Sequence, residues 1–138
     1  MPDSGNVDAA LSAKLLADAT LMAIATDGVY FDTAKQGATK FVIISLLSEN
    51  DEPMFNARAF EDGLYLVKAV SLESSGANVK AAAARIDALL DGGTLSISGY
   101  SLMRMERVER VRYTEVDETN AAIRWQHRGG HYALTVSG

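Results

Sequence analysis

The apolar run at residues 40–48 is the feature that most constrains the fold. Its apolar members are rich in β-branched and aromatic side chains: Phe41, Val42, Ile43, Ile44, Leu46 and Leu47. The run is too short for a typical helix and predicts a central strand covered on both faces. Residues 49–53 add three acidic side chains and a proline, which predicts that the strand ends there.

Two segments have the periodicity of helices. Over residues 7–25, apolar side chains recur at helical spacing and predict one N-terminal helix, with a break near Asp18 left open. The clearest helix is predicted at 76–90, where an apolar seam should lie on a sheet. Ser74 or Ser75 can cap its start, and Gly92 supplies a left-handed exit.

The remaining strands are predicted from short β-rich runs. They are placed at 29–31, 64–70, 94–102, 105–113 and 121–136, with residues 54–60 less clear. Gly129 and Gly130 should divide the last run by a turn, and the poor alternation at 107–111 indicates a bulge or a short helical turn. The predicted fold class is α+β (an α/β sandwich): a mostly antiparallel sheet with one long helix packed on it and an N-terminal helix, in one domain spanning 1–138.

Composition narrows the function classes. The 138 residues are 48% hydrophobic and 22% charged, an ordinary globular composition. No apolar run reaches the roughly 20 residues that span a bilayer, and the first residues lack the features of a signal peptide, so we expect a cytoplasmic protein. The chain contains no cysteine, and its net charge of −5 opposes general binding to nucleic acid.

No catalytic, cofactor or metal site is predicted. His127 and His131 flank two glycines and are interpreted as partly exposed hairpin residues, without further metal ligands. Asp51 with Glu52 and the acids at 115–118 are interpreted as solvated loop charges. Trp125 fits an interface anchor or a core residue equally well.

Charged segments are the candidate contact surfaces. The polar loops predicted at 32–39 and 49–56 are the preferred contact elements, because loops on a rigid sheet commonly carry recognition. Positive charge is also concentrated late in the chain, in Arg104, Arg107, Arg110, Arg112, Arg124 and Arg128. These arginines indicate either a docking face or an exposed sheet surface that neighbouring glutamates neutralise, and the second interpretation is favoured.

Three short sequence motifs occur in order along the chain: Val29-Tyr-Phe-Asp-Thr-Ala-Lys-Gln-Gly-Ala38, Leu95-Ser-Ile-Ser-Gly-Tyr100 and Gly130-His-Tyr-Ala-Leu-Thr-Val136. With the elements around them, they resemble the tail terminator and tail-completion proteins of long-tailed bacteriophages over nearly the whole chain. The resemblance implies a homohexameric ring that caps the tail-tube protein, stops tube growth and meets the head-completion or connector proteins. DNA would pass through its lumen without sequence-specific binding. The protein would be assembled in the host cytoplasm and reside at the head-proximal end of the virion tail, with no membrane partner.

The expected interface residues follow from this picture. We place subunit or tube contacts at the sheet edge and the polar loops, and further contacts at a subunit or lumen surface in the arginine-rich region. The residues are Asp32, Lys35, Gln36, Lys40, Glu49, Asp51 and Glu52 in the loops, and Arg104, Arg107 and Arg110 in the arginine-rich region. The alternatives are a small-molecule binding module, another virion connector component such as a head-completion protein and, as the weakest, an enzyme.

Overall fold

Within the residues that the structure describes, five strands and three helices build the fold. The structure is a computed structural model and describes residues 4–54, 57–73, 75–116, 119–120 and 122–137; for 50–60 it describes only strand backbone. The helices are α1 Ser4–Leu16, α2 Ala19–Ile24 and α3 Ala77–Leu90. The strands are β1 Val29–Phe31, β2 Lys40–Met54, β3 Ala57–Leu72, β4 Ser101–Val116 and β5 Arg124–Ser137. They form one sheet in the order β1-β2-β3-β5-β4.

The N-terminal helix is broken at Asp18, which confirms the break that the sequence left open. Asp18 has extended backbone angles and its carboxylate accepts the N–H of Leu21 at 2.9 Å, so it caps α2. Arg85 of α3 donates two hydrogen bonds to the same carboxylate, at 2.8 and 2.7 Å. Asp18, at the break, therefore links the N-terminal helices to α3.

The predicted fold class is wrong: the sheet is mixed, and three short helices replace one long helix on an antiparallel sheet. β1 pairs parallel with β2, with Val29 opposite Val42. Asp27 explains this pairing, because its carboxylate accepts the N–H groups of Thr39 and Lys40 at 2.9 and 3.0 Å. These two hydrogen bonds hold the end of the 32–39 loop beside the start of β1, where β2 begins. A run of apolar residues does not reveal the direction of its neighbour.

Two predicted breaks in the strands are also wrong. β2 does not end at 49–53 but continues to Met54, and a register shift between Glu52 and Pro53 accommodates the proline. β5 runs without a turn through Gly129 and Gly130. A Cβ on Gly129 would lie 2.2 Å from the carbonyl oxygen of Val67, so this glycine permits a close approach of β3.

The other predicted boundaries have mixed outcomes. The strand predicted at 94–102 is wrong, since β4 begins at Ser101 and only the bridge between Ile97 and Tyr100 precedes it. The bulge predicted at 107–111 is confirmed by a register shift between Arg107 and Glu109. The predicted cap of α3 is not Ser75: Gly76 holds that position without a side-chain bond, and Ser74 lies outside the described residues. The left-handed exit at Gly92 is confirmed.

The helices cover one face of the sheet and a loop covers part of the other. On the helix face, Val42 and Ile44 of β2 join a core that includes Ile86 of α3. On the opposite face, which we call the open face, Phe41 and Ile43 pack with residues from the 32–39 loop, β3 and β5. The prediction that this part of β2 is covered on both faces is thus confirmed. The far edge of the sheet is β4, whose outer side has no strand beside it within the described residues.

Candidate assembly surfaces

The 32–39 loop brings three of the predicted interface residues together. Asp32, Lys35 and Gln36 are all exposed there, and Lys40 lies half-buried at the foot of the loop, where β2 begins. Asp27 holds that foot in place, and the N–H groups of Thr39 and Lys40 lower the pKa of its carboxyl. The loop is therefore an anchored, charged surface, and its role as an interface stays a prediction.

A groove of about 580 Å³ separates this loop from the sheet. Its floor is apolar and aromatic, including Phe41, Val70 and Trp125. Trp125 belongs partly to the core, since it packs on the cluster around Phe41 with ring centroids 6.2 Å apart. The volume lies in the range of small-ligand sites, and charged side chains including Asp32, Lys68 and Glu115 also line the groove.

His127 borders the groove, and its predicted position in a hairpin turn is wrong. The side chain lies within β5, only 7% exposed, with its ring stacked 4.2 Å from that of Tyr113. Burial lowers the pKa of His127, and the charge of Lys68 acts in the same direction, while Glu115 beside Nε2 opposes them. The strand run predicted at 121–136 already contained His127, but the turn expected at Gly129 and Gly130 made this side chain look exposed.

Within the described residues, neither histidine lies in a cluster of metal-ligand type. Among the described residues, no group of three or more His, Asp or Glu side chains is placed to hold a metal ion. His131 lies 3.4 Å from a carboxylate oxygen of Glu109 on the open face. In the part of the chain that the structure describes, we also find no helix with the length and apolarity to cross a membrane.

The arginine-rich region forms a cleft on the helix face. A cavity of about 340 Å³ lies between α3 and the strands β4 and β5. Its walls carry the cationic side chains that we call the basic cleft: Lys80, Arg107, Arg110, Arg112 and Arg128. The bulge creates this grouping, because the extra residue Val108 places Arg107 and Arg110 on the same face despite their odd spacing.

Most of this charge has no counter-ion within the described residues. Arg107 pairs with Asp87 at 2.5 Å, and Asp87 also accepts the hydroxyl of Tyr132 at 3.0 Å. Asp87 is the one acidic residue among those lining the cavity. Arg112 and Arg128 stand directly opposite each other in the ladder, an arrangement that destabilises a strand pair when both are charged. The cleft is therefore an unneutralised cationic surface on an acidic chain.

Arg104 does not belong to the cleft. It points to the open face, where its nearest acidic partner is Glu106 at 3.5 Å. Glu109 and Glu115 also lie on that face, so the glutamates expected to neutralise the arginines are on the wrong side of the sheet. The structure thus unites Arg107 and Arg110 with Arg112 and Arg128 and separates Arg104 from them.

The sequence at the far end of the β2–β3 strand pair is rich in acidic residues. Residues 49–62, which we call the acidic arm, contain five carboxylates and one arginine. The ladder to β5 ends at Glu61 opposite Val136, so within the described residues 52–60 pair only inside the hairpin and extend past the sheet. Glu49 is exposed, and the side chains of Asp51 and Glu52 lie outside the described residues. The loop predicted at 49–56 is strand over 49–54, where β2 continues, and residues 55–56 of the prediction lie outside the described residues.

The family model described as "Tail completion protein gp17" matches residues 9–128, and the chain therefore belongs to this family. It is a tail-completion protein, a structural component of a virion. This confirms the resemblance found in the sequence.

Solved structures share the fold. A chain of the "Virion of native gene transfer agent (GTA) particle" aligns with a TM-score of 0.73 and 24% identity, over 98% of this chain and 97% of that chain. A second solved structure aligns with a TM-score of 0.56 and 15% identity, over 96% of this chain and 95% of that one. No curated protein sequence matches the chain.

Proposed function

We propose that this tail-completion protein forms a homohexameric ring that caps the tail tube, stops its growth and presents the surface that joins the head. One observation supports the proposal: the charged 32–39 loop beside β1 and the basic cleft beside β4 lie towards opposite edges of the sheet. Surfaces that differ within one subunit produce head-to-tail contacts, which close into a ring when the rotation permits. The ring size follows from the family resemblance.

The proposed partners are the tail-tube protein on one side of the ring and a head-completion or connector protein on the other. DNA passes through the lumen, and the net charge of −5 suits a channel that does not retain it. The charged loop with Asp32, Lys35, Gln36 and Lys40 is proposed as a tube-facing or neighbour-facing surface. Arg104, on the opposite face from the cleft, is proposed as a further contact.

The test measures the mass of the assembled protein and its effect on the growth of tail tubes. We expect light scattering over a concentration series, with negative-stain images, to show six-fold rings either alone or on the ends of tail tubes. Added to polymerising tail-tube protein, the chain should stop elongation and leave capped ends. Tubes that lengthen as they do without the protein would contradict the proposal, and binding to heads alone would indicate a head-completion component.

A further inference from the structure

Exposed apolar side chains lie at both edges of the sheet, at positions where the strands bulge. In β4, Met103 and Val108 are the extra residues at the two register shifts. Each side chain is 54% exposed, the highest value among the large hydrophobic residues that the structure describes. In β2, the shift between Leu46 and Ser48 makes Leu47 the extra residue, and Leu46 and Leu47 are 42% and 46% exposed. A bulge blunts an edge against strand addition, so a neighbour would contact these edges through side chains.

β2 is an edge strand at this point because β1 is short. β1 pairs only with residues 42–44 of β2. From Ser45 to the end of β2, no described strand lies on the side away from β3. The sheet therefore has one edge at Leu46 and Leu47 and its other edge at β4.

The apolar residues of the two edges lie at the same level of the sheet. Leu46 is opposite Tyr65 of β3, Tyr65 is opposite Tyr132 of β5, and Tyr132 is opposite Arg107 of β4. Val108 directly follows Arg107. The two edges are three strand spacings apart, or about 14 Å, with β3 and β5 between them. A contact between them must therefore join different copies of the chain.

This shared level distinguishes the edge residues from apolar side chains that are exposed elsewhere on the chain. Single exposed apolar residues are common on protein surfaces and need no partner. Here, rotation of a copy about an axis along the strands brings the Leu46–Leu47 side of one subunit to the Val108 side of the next. Contacts between two different surfaces are head-to-tail, and they close into a ring when the rotation permits. Each copy then removes apolar surface of both its neighbours from water.

From this geometry we propose that Leu46 and Leu47 at the β2 edge of one subunit pack against Met103 and Val108 at the β4 edge of the next, and that this apolar contact is the centre of the ring interface. The proposal rests on the ring proposed above. Arg104 follows Met103 in sequence and falls in the polar rim that surrounds the apolar centre of an interface.

The test places a charge at each edge in turn. L47K or V108E should each weaken subunit association about 10-fold or more, because an unpaired charge would be buried in an apolar contact. The double variant brings opposite charges together and should associate better than either single variant. V116E is the matched control for V108E, since Val116 is a valine of the same strand, 50% exposed, at the other end of the β4–β5 ladder. L16K is the control for L47K, because Leu16 at the end of α1 is 49% exposed.

A second measurement uses the absence of cysteine in the chain. On oxidation of assembled rings, the pair L47C and V108C should form disulfides between copies, and the pair L47C and V116C should not. A disulfide requires Cα atoms within about 7 Å, which excludes a bond across one sheet. This readout also serves if a charged variant does not fold.

The outcomes separate this contact from the ring itself. If wild-type chains form no ring alone or on tubes, the proposed function fails and the contact fails with it. If rings form but L47K and V108E assemble like the wild type, or if L47C and V108C do not cross-link in the rings, the edge contact alone is overturned. Equal weakening by V116E and L16K would also overturn it, because the effect would then be one of charge at any exposed apolar position.

Discussion

Gly129 shows how a single position can depend on a strand far away in sequence. A methyl group there would meet the Val67 carbonyl oxygen at 2.2 Å and the Lys68 Cα at 2.4 Å, and these backbone atoms cannot rotate away. We expect Gly129→Ala to lower the free energy of unfolding by about 1–3 kcal/mol through overpacking. Urea denaturation measures this.

Gly76→Ala is the matched control for that change. The nearest atom to its added Cβ is a Val79 methyl at 3.9 Å, an ordinary contact. A loss at Gly129 no larger than the loss at Gly76 would contradict the close approach of β3 and β5.

Asp18 predicts how the stability of the fold depends on pH. Hydrogen bonds from Arg85, followed by the Leu21 N–H, lower the pKa of its carboxyl to about 2, against the opposing effect of desolvation. The stabilisation is therefore fully present above the unfolded pKa near 4 and is lost as the pH falls towards 2. Asp18→Asn keeps a capping side chain but removes the charge, so it should lower the melting temperature at pH 7 and converge with the wild type near pH 2.

Thermal scans between pH 2 and pH 7 test this convergence. In an Arg85→Gln background the same change should lose most of its pH dependence, because the two side chains act as one pair. An equal difference at every pH would show that the Asp18–Arg85 pair does not cause the shift.

At the scale of elements, the β4–β5 strand pair places two like charges opposite each other. Arg112 faces Arg128 across the ladder, and like charges in that position cost roughly 0.2–1 kcal/mol. We expect Arg112→Gln to raise the free energy of unfolding of the unassembled subunit by about that amount and to weaken assembly. Urea denaturation at low concentration and light scattering at high concentration separate these effects.

The exchange Arg104→Gln provides the comparison. Arg104 lies on the same strand near Glu106, so its removal should not stabilise the subunit. Equal stabilisation by both changes would mean that the net charge of the strand, and not the Arg112–Arg128 pair, is responsible.

The elements show what local sequence patterns can and cannot predict. The run at 40–48 predicted a strand covered on both faces; residues 41–44 do alternate between two clusters, whereas Leu46 and Leu47 are exposed. Pro53 and Gly129 were interpreted as breaks, since a proline or glycine signal is local while the ladder that accommodates it belongs to another strand. The parallel pairing of β1 depends on Asp27 bonding to Thr39, a contact that the spacing does not reveal.

The candidate surfaces were predicted only in part, because the grouping of side chains also depends on contacts between distant elements. Arg107 and Arg110 were identified together, but the bulge at Val108 decides that they share a face, and the spacing indicated only that alternation fails there. Lys80 of α3 was missed because helical periodicity placed it away from the apolar seam without indicating which strand it would approach.

For the whole molecule, a ring whose subunits meet through charged surfaces predicts that subunit association depends strongly on salt. Raising ionic strength shortens the Debye length from about 10 Å at 0.1 M to about 3 Å at 1 M. Association of subunits should weaken roughly 10-fold over that range, since long-range attraction between charged surfaces is screened. Light scattering in a sodium chloride series measures it.

Folding of the subunit should respond much less, because its core is apolar and its sheet is held by backbone hydrogen bonds. A ring that is indifferent to salt would show that apolar contacts, and not the charged surfaces, hold it together.

The bare outer edge of β4 has a consequence for the time between synthesis and use. A 16-residue strand whose outer side has no partner strand within the described residues is a template on which other chains can add and grow into aggregates. Charged side chains along β4, including Arg104, Glu106, Glu109 and Arg112, oppose such stacking. The charges on this edge strand therefore also protect newly made copies from aggregation before they assemble.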